Sequence, residues 1–80
     1  MLVEVADTSL MFDREKKLPA YGRAGISEVW IVNLMERVIE VYREPHFAGY
    51  GVSEILDSGD TARPLAFPDI EIVVSALLRF

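Results

Sequence analysis

Cysteine is absent from this 80-residue chain, and histidine occurs once. The first absence excludes disulfides, thiolate metal sites and cysteine nucleophiles together. The second excludes a multi-histidine metal site within one chain, since only His46 is present. No stretch approaches the ~18 consecutive apolar residues of a membrane span, and no signal peptide opens the chain. The expected setting is therefore cytoplasmic, with no membrane partner. Positive charge is scarce as well: 8 Lys and Arg stand against 13 Asp and Glu, a net charge of −5. That balance argues against binding nucleic acid by simple phosphate neutralisation. Gly-rich phosphate loops, the GxSxG elbow and the HExxH pair are all missing.

What is present suits one small domain over residues 1–80, with a thin core. Hydrophobic residues make up 51% of the chain, which excludes disorder. The few cations are clustered. Arg14, Lys16, Lys17 and Arg23 outnumber Asp13 and Glu15 between residues 13 and 25, whereas residues 26–80 carry four basic and nine acidic side chains. An anionic partner is expected at that short basic segment.

Leu2-Val3-Glu4-Val5-Ala6 reads as a strand covered on both faces, as in the centre of an α/β sheet. A central strand at residue 2 has no earlier neighbour, so the chain is expected to be the later part of a longer protein. Asp7-Thr8-Ser9 offers turn and N-cap chemistry. A helix is predicted from about Phe12 to Ala24, with Gly25 as its C′ residue, Ile26 as the hydrophobic contact that follows, and Pro19 imposing a kink or a late start. Residues 28–33 and 38–43 are predicted to pair as a hairpin, with Val38, Glu40 and Tyr42 on one face. Residues 45–49 read as loop, 50–56 as a third strand, 57–60 as a turn and 61–69 as an extended loop. A short strand over 70–72 and a terminal helical turn over 73–78 close the chain.

Glu4 is the first candidate for chemistry. A carboxylate within a buried strand is costly unless it is paired or binds a metal. At 100° per residue, Asp13, Lys17, Tyr21 and Arg14 fall within an arc of about 100° on the helix, so Lys17 can point back at Glu4. One reading is a metal-binding carboxylate with a lysine beside it, as phosphodiester hydrolysis needs. The other is a structural ion pair between strand and helix. Arg14 and Lys16 either contact phosphates or form a solvated face; Tyr21 either holds Lys17 or a substrate, or simply packs. Trp30 is expected in the core, and His46 in an exposed loop.

The stretch from Leu2 to Val5, then Asp13-Arg14-Glu15-Lys16-Lys17-Leu18-Pro19-Ala20-Tyr21, Ala24-Gly25-Ile26 and Glu28-Val29-Trp30-Ile31-Val32, resembles the Uma-two family. So do Val41-Tyr42-Arg43 and the Pro-Asp-Ile element at 68–70. This is a bacterial family, abundant in cyanobacteria, with the PD-(D/E)xK restriction-endonuclease fold. The resemblance implies a metal-dependent DNA endonuclease, with Mg²⁺ as cation and DNA as partner. It places the metal-binding Glu on Glu4 and the catalytic Lys on Lys17, with Asp13, Arg14 and Tyr21 as supporting or substrate-binding residues. Ala6 stands where the usual motif has its Lys, so the Lys has moved to the helix. The family's Pro-Asp precedes the ExV strand, and no Pro-Asp precedes Glu4 here. The expected architecture is thus the C-terminal half of a restriction-endonuclease-like α/β (α+β) domain, a mixed, mostly antiparallel sheet of about four strands with one main helix. Its site is expected to be incomplete. A homodimer is expected too, because an unpaired first strand invites pairing. The alternative is a non-catalytic, self-associating remnant of that fold.

Overall fold

A computed structural model describes residues 1–6 and 14–78. Asp13 lies outside the described residues, and so does its expected place near the site. The elements run β1 (Leu2–Ala6), α1 (Arg14–Arg23), β2 (Glu28–Asn33), β3 (Val38–His46), β4 (Gly49–Leu56), β5 (Thr61–Ala62), β6 (Ile72–Val73) and α2 (Val74–Leu77). The main sheet has the order β1-β2-β3-β4. β1 runs parallel to β2, and the other two pairings are antiparallel. A parallel pair needs a crossover, and α1 is that crossover. The architecture is therefore α+β with a mixed four-stranded sheet, as the composition of its segments predicts.

β2 is the spine of the molecule. All six of its residues are buried, since it is flanked by strands on both edges and covered on both faces. On one face, Leu18, Tyr21 and Ile26 pack over Ala6, Val29 and Ile31. On the other, Ala62, Val74 and Leu78 pack over Trp30, Val32, Ile39, Val41 and Leu56. Fully burying such a side chain contributes about 1.5–3 kcal/mol. The Asp60 carbonyl accepts from the Val74 amide at 3.1 Å and anchors this second layer.

α1 ends as its sequence dictates. Gly25 adopts a φ of 73°; its amide bonds the Gly22 carbonyl at 3.0 Å, and the Ile26 amide reaches back to Tyr21 at 3.1 Å. These are the two hydrogen bonds of a Schellman motif. The helix runs through Pro19 rather than starting after it. The carbonyl that Pro19 cannot serve belongs to Glu15, an exposed residue of the first turn where water can serve it.

Three expectations need correction. β1 is not covered on both faces: Val3 and Val5 are 50% and 55% exposed. The layer of β5, β6 and α2 reaches only as far as β2, and no strand lies beside the outer edge of β1 among the described residues. β3 does not stop at Arg43 but continues through Pro45 to His46. The last partner of β3 on β2 is Arg43, so Pro45 has a strand on one side only and its missing N–H breaks no ladder. Finally, the short strand falls at Ile72–Val73 rather than 70–72, and it pairs with Thr61 and Ala62 within the predicted loop.

Candidate functional site

Leu2, Glu4 and Ala6 share the sheet face beneath α1, because side chains alternate along a strand. The helix then decides what meets them. On its circumference the residues fall in the order Lys17, Tyr21, Arg14, Leu18, Gly22, across roughly 140°. One margin of this arc overhangs β1, and the other rests on the β3–β4 hairpin.

At the β1 margin, the Tyr21 hydroxyl donates to Glu4 Oε1. Lys17 Nζ lies 4.0 Å from the same oxygen, so the approach expected from helix and strand periods is found. Among the described residues, both contacts fall on Oε1. The Glu4 side chain is 27% exposed and that of Lys17 47%, so the cluster is open to solvent and to a ligand. The hydrogen bond to Glu4, with burial second, pushes the Tyr21 phenol up to about 12. Tyr21 therefore stays a donor at neutral pH and fixes the carboxylate.

The other margin holds a cluster that the sequence did not single out. Arg14, placed beside Lys17 by its helical angle, turns to Glu40 on β3 instead. Its Nε and Nη2 donate to the two Glu40 oxygens at 2.6 and 2.5 Å. The Tyr42 hydroxyl adds a bond of 2.7 Å and Asn33 Nδ2 one of 3.2 Å. Glu40 is only 6% exposed. Burial by itself would raise its carboxyl, but hydrogen bonds from Arg14, Tyr42 and Asn33 outweigh it and hold the group below the usual carboxylate range. Burial first, and the bond to Glu40 second, push the Tyr42 phenol up to about 12. The signal for this cluster was Ile39-Glu40-Val41, a carboxylate flanked by apolar residues just as Glu4 is.

Glu4 and Glu40 lie in one cross-strand row, with Ile31 between them. Two strand spacings separate their backbones by about 10 Å, and both oxygens of Glu40 are already held. The two acids therefore serve different ends. No group of three His, Asp or Glu able to hold a metal ion occurs among the described residues. A single carboxylate that accepts from a phenol beside an ammonium does not by itself fit a hard divalent cation, which takes six or more oxygens and holds much of its water. An open groove of about 420 Å³ lies on the far margin of α1, between Arg14, Leu18 and Pro19 and the hairpin residues Tyr42, Tyr50 and Ser53. It does not reach Glu4.

A family model described as "Putative restriction endonuclease" (Uma2) matches residues 1–75. The chain belongs to the Uma-two family. No curated protein and no solved structure matches it. Within this Uma-two chain the strand Glu4, the helix Lys17 and Tyr21 form one cluster, while Arg14 belongs to the Glu40 cluster. Lys16 is exposed on α1, and His46 is exposed with Nδ1 accepting from the Ala48 amide in the hairpin turn. Trp30 is in the core, 2% exposed. No helix among the described residues is long and apolar enough to cross a membrane.

Proposed function

We propose that this chain carries the Glu4–Lys17 half of a DNA phosphodiester-hydrolysing site of the restriction-endonuclease type. The observation that supports it is the convergence of Lys17 and Tyr21 on one oxygen of a strand carboxylate, in a chain matched by an endonuclease family over residues 1–75. Hydrolysis needs a base near the attacking water and positive charge near the phosphate. Glu4 Oε2 is the oxygen available to take or orient the water proton. The Lys17 ammonium offsets charge on the phosphate oxygens, and Tyr21 keeps Oε1 from swinging away. The Mg²⁺ that the family resemblance implies would need a second acid beside Glu4. DNA approaches along α1, where Lys16 and Lys17 oppose the repulsion of a chain whose net charge is −5. A homodimer belongs to the same reading.

Plasmid nicking with MgCl₂ or MnCl₂ tests it. Below about 1 μM, where weak association is negligible, the chain is expected to nick no faster than buffer. Joining a strand that supplies an Asp beside Glu4 is expected to give nicking that Glu4→Gln and Lys17→Ala each reduce at least ~100-fold. Nicking that survives Glu4→Gln overturns the assignment.

A further inference from the structure

Phe47, at the tip of the β3–β4 hairpin, is 80% exposed, more than any other large hydrophobic side chain among the described residues. A single exposed apolar side chain is ordinary on a protein surface. This one is unusual because the turn that carries it is held in place. Phe47 and Ala48 form a two-residue turn closed by the pairing of His46 with Gly49. His46 Nδ1 accepts from the Ala48 amide at 3.2 Å. The His46 and Phe47 rings meet edge-on with centroids 6.1 Å apart. Arg23 Nη1, at the end of α1, donates to the Phe47 carbonyl at 3.3 Å. An imidazole and a guanidinium thus fix the turn while its aromatic ring stands in solvent.

The hairpin is bent so that this tip lies beside the helix. In a regular ladder Tyr42 and Ser53 share one face, and Pro45 and Tyr50, three positions further on, share the other. Yet Tyr42 and Tyr50 both pack on the α1 side. The reversal occurs at Glu44, whose φ of 61° is strained for a residue with a side chain. It sets the carbonyls of His46 and Gly49 against Gly22, so the tip continues from the end of α1. Lys16 and Arg23, seven residues apart, fall within about 20° of one another on the helix, and both are exposed. They line its solvent ridge, which ends at Phe47. The chain as a whole carries a net charge of −5, and Arg43 and Arg63 are engaged by Glu28 and Glu71. Arg23 makes no ion pair among the described residues; its bond is to a neutral carbonyl, which a phosphate oxygen outcompetes.

We propose that the hairpin tip is a DNA contact, in which Phe47 stacks on an unpaired base while Arg23 and Lys16 hold the flanking phosphates. DNA as the partner rests on the hydrolytic reading. One fixed ring beside a guanidinium suits this task, because every base has a π-face and stacking needs no sequence readout. The base must be unpaired, since in a duplex its faces are covered by its neighbours. Glu44 is exposed three residues before Phe47 and opposes the phosphates, so binding is expected to be weak and strongly dependent on salt.

Fluorescence anisotropy of a labelled single strand of about 12 nucleotides, at about 50 mM NaCl and without divalent metal, tests it. The chain is expected to bind with Kd of about 1–100 μM, and a duplex of the same sequence more weakly. Phe47→Ala is expected to weaken single-strand binding roughly 5- to 150-fold with unchanged circular dichroism, because the side chain is exposed. Phe47→Leu weakens it as much, since it keeps an apolar side chain but no ring, whereas Phe47→Trp retains it. Arg23→Ala is expected to reduce the slope of log K against log salt by about 0.7, the loss of one phosphate contact. Wild-type affinity in Phe47→Ala, or no binding by the wild type at about 100 μM, overturns the contact. Equal binding of duplex and single strand, retained by Phe47→Leu, means an apolar wedge between paired bases and overturns the stack. Because binding is read without metal, a loss in Phe47→Ala together with failure of the nicking assay upholds the contact while the hydrolytic reading falls. Nicking that depends on Glu4 and Lys17, with Phe47→Ala binding as the wild type does, overturns the contact alone.

Discussion

Val3-Glu4-Val5 and Ile39-Glu40-Val41 place two carboxylates on one sheet face with the same apolar neighbours. Their fates differ because of what α1 sets above them. Glu40 receives a guanidinium, a phenol and an amide, and it is buried; Glu4 receives a phenol and a more distant ammonium, and stays accessible. The first acid is fully engaged in the fold, and the second stays open to solvent. Arg14→Ala strands the Glu40 charge. The Arg14 side chain is 39% exposed, so solvent screens part of the pair, and a loss of about 1–2 kcal/mol is expected in urea unfolding. Glu40 titrates below its unfolded value. Its contribution is therefore complete above the ordinary carboxylate range near pH ~4.3 and is lost as pH falls through the lower folded value. Arg14→Ala is expected to flatten that acid limb; an unchanged limb would remove Arg14 from the account.

The element that organises both clusters is α1, and its seat depends on Gly22. A Cβ at that position would run into the carbonyl oxygens of His46 and Gly49, the outer end of the β3–β4 hairpin. Glu44, in β3 close to that end, takes a φ of 61°, and Tyr50 bonds the Ile26 carbonyl at 2.6 Å. The hairpin thus closes over the end of the helix. Elsewhere in a helix, Gly→Ala gains up to about 1 kcal/mol. Here backbone must move to admit a methyl group, which costs about 1–3 kcal/mol. Gly22→Ala is expected to lower the thermal midpoint and to slacken the approach of Lys17 to Glu4. A raised midpoint would show that the hairpin end yields freely.

For the molecule as a whole, the sheet is a platform between two unlike layers, α1 on one side and the segment 61–78 on the other. Glu28 fastens the second layer. It is 1% exposed and accepts from Arg43 Nε at 2.7 Å and from the Leu65 amide at 3.0 Å, while Arg43 also donates to the Arg63 carbonyl at 2.7 Å. Burial would raise the Glu28 carboxyl, yet the Leu65 amide and Arg43 together hold it low. Glu28→Ala is expected to cost about 1–3 kcal/mol. Hydrogen exchange should quicken in residues 61–78 before it does in β2 and β3, because the layer loosens before the spine. Uniform quickening would mean that the two layers open as one unit.

Local chemistry alone fixed much of this. The hairpin of β2 and β3 follows from an apolar run, an alternating run and the short link between them, the end of α1 from Gly25 and Ile26, and the burial of Trp30 from the apolar run around it. The nearness of Lys17 to Glu4 followed from two periods, that of strand and helix, because only one short crossover joins them. What the sequence could not express was competition between distant elements. Arg14 has nearly the helical angle of Tyr21, and only the lateral seat of α1 sends it across to Glu40, 26 residues on. Pro45 reads as a strand breaker until β2 is seen to end beside Arg43. β1 reads as a buried strand by composition, yet burial depends on how far the neighbouring layers extend, and the layer of β5, β6 and α2 stops one strand short of it. Periodicity is a property of each element by itself, whereas coverage is a property of the assembly, and only the tertiary structure carries it.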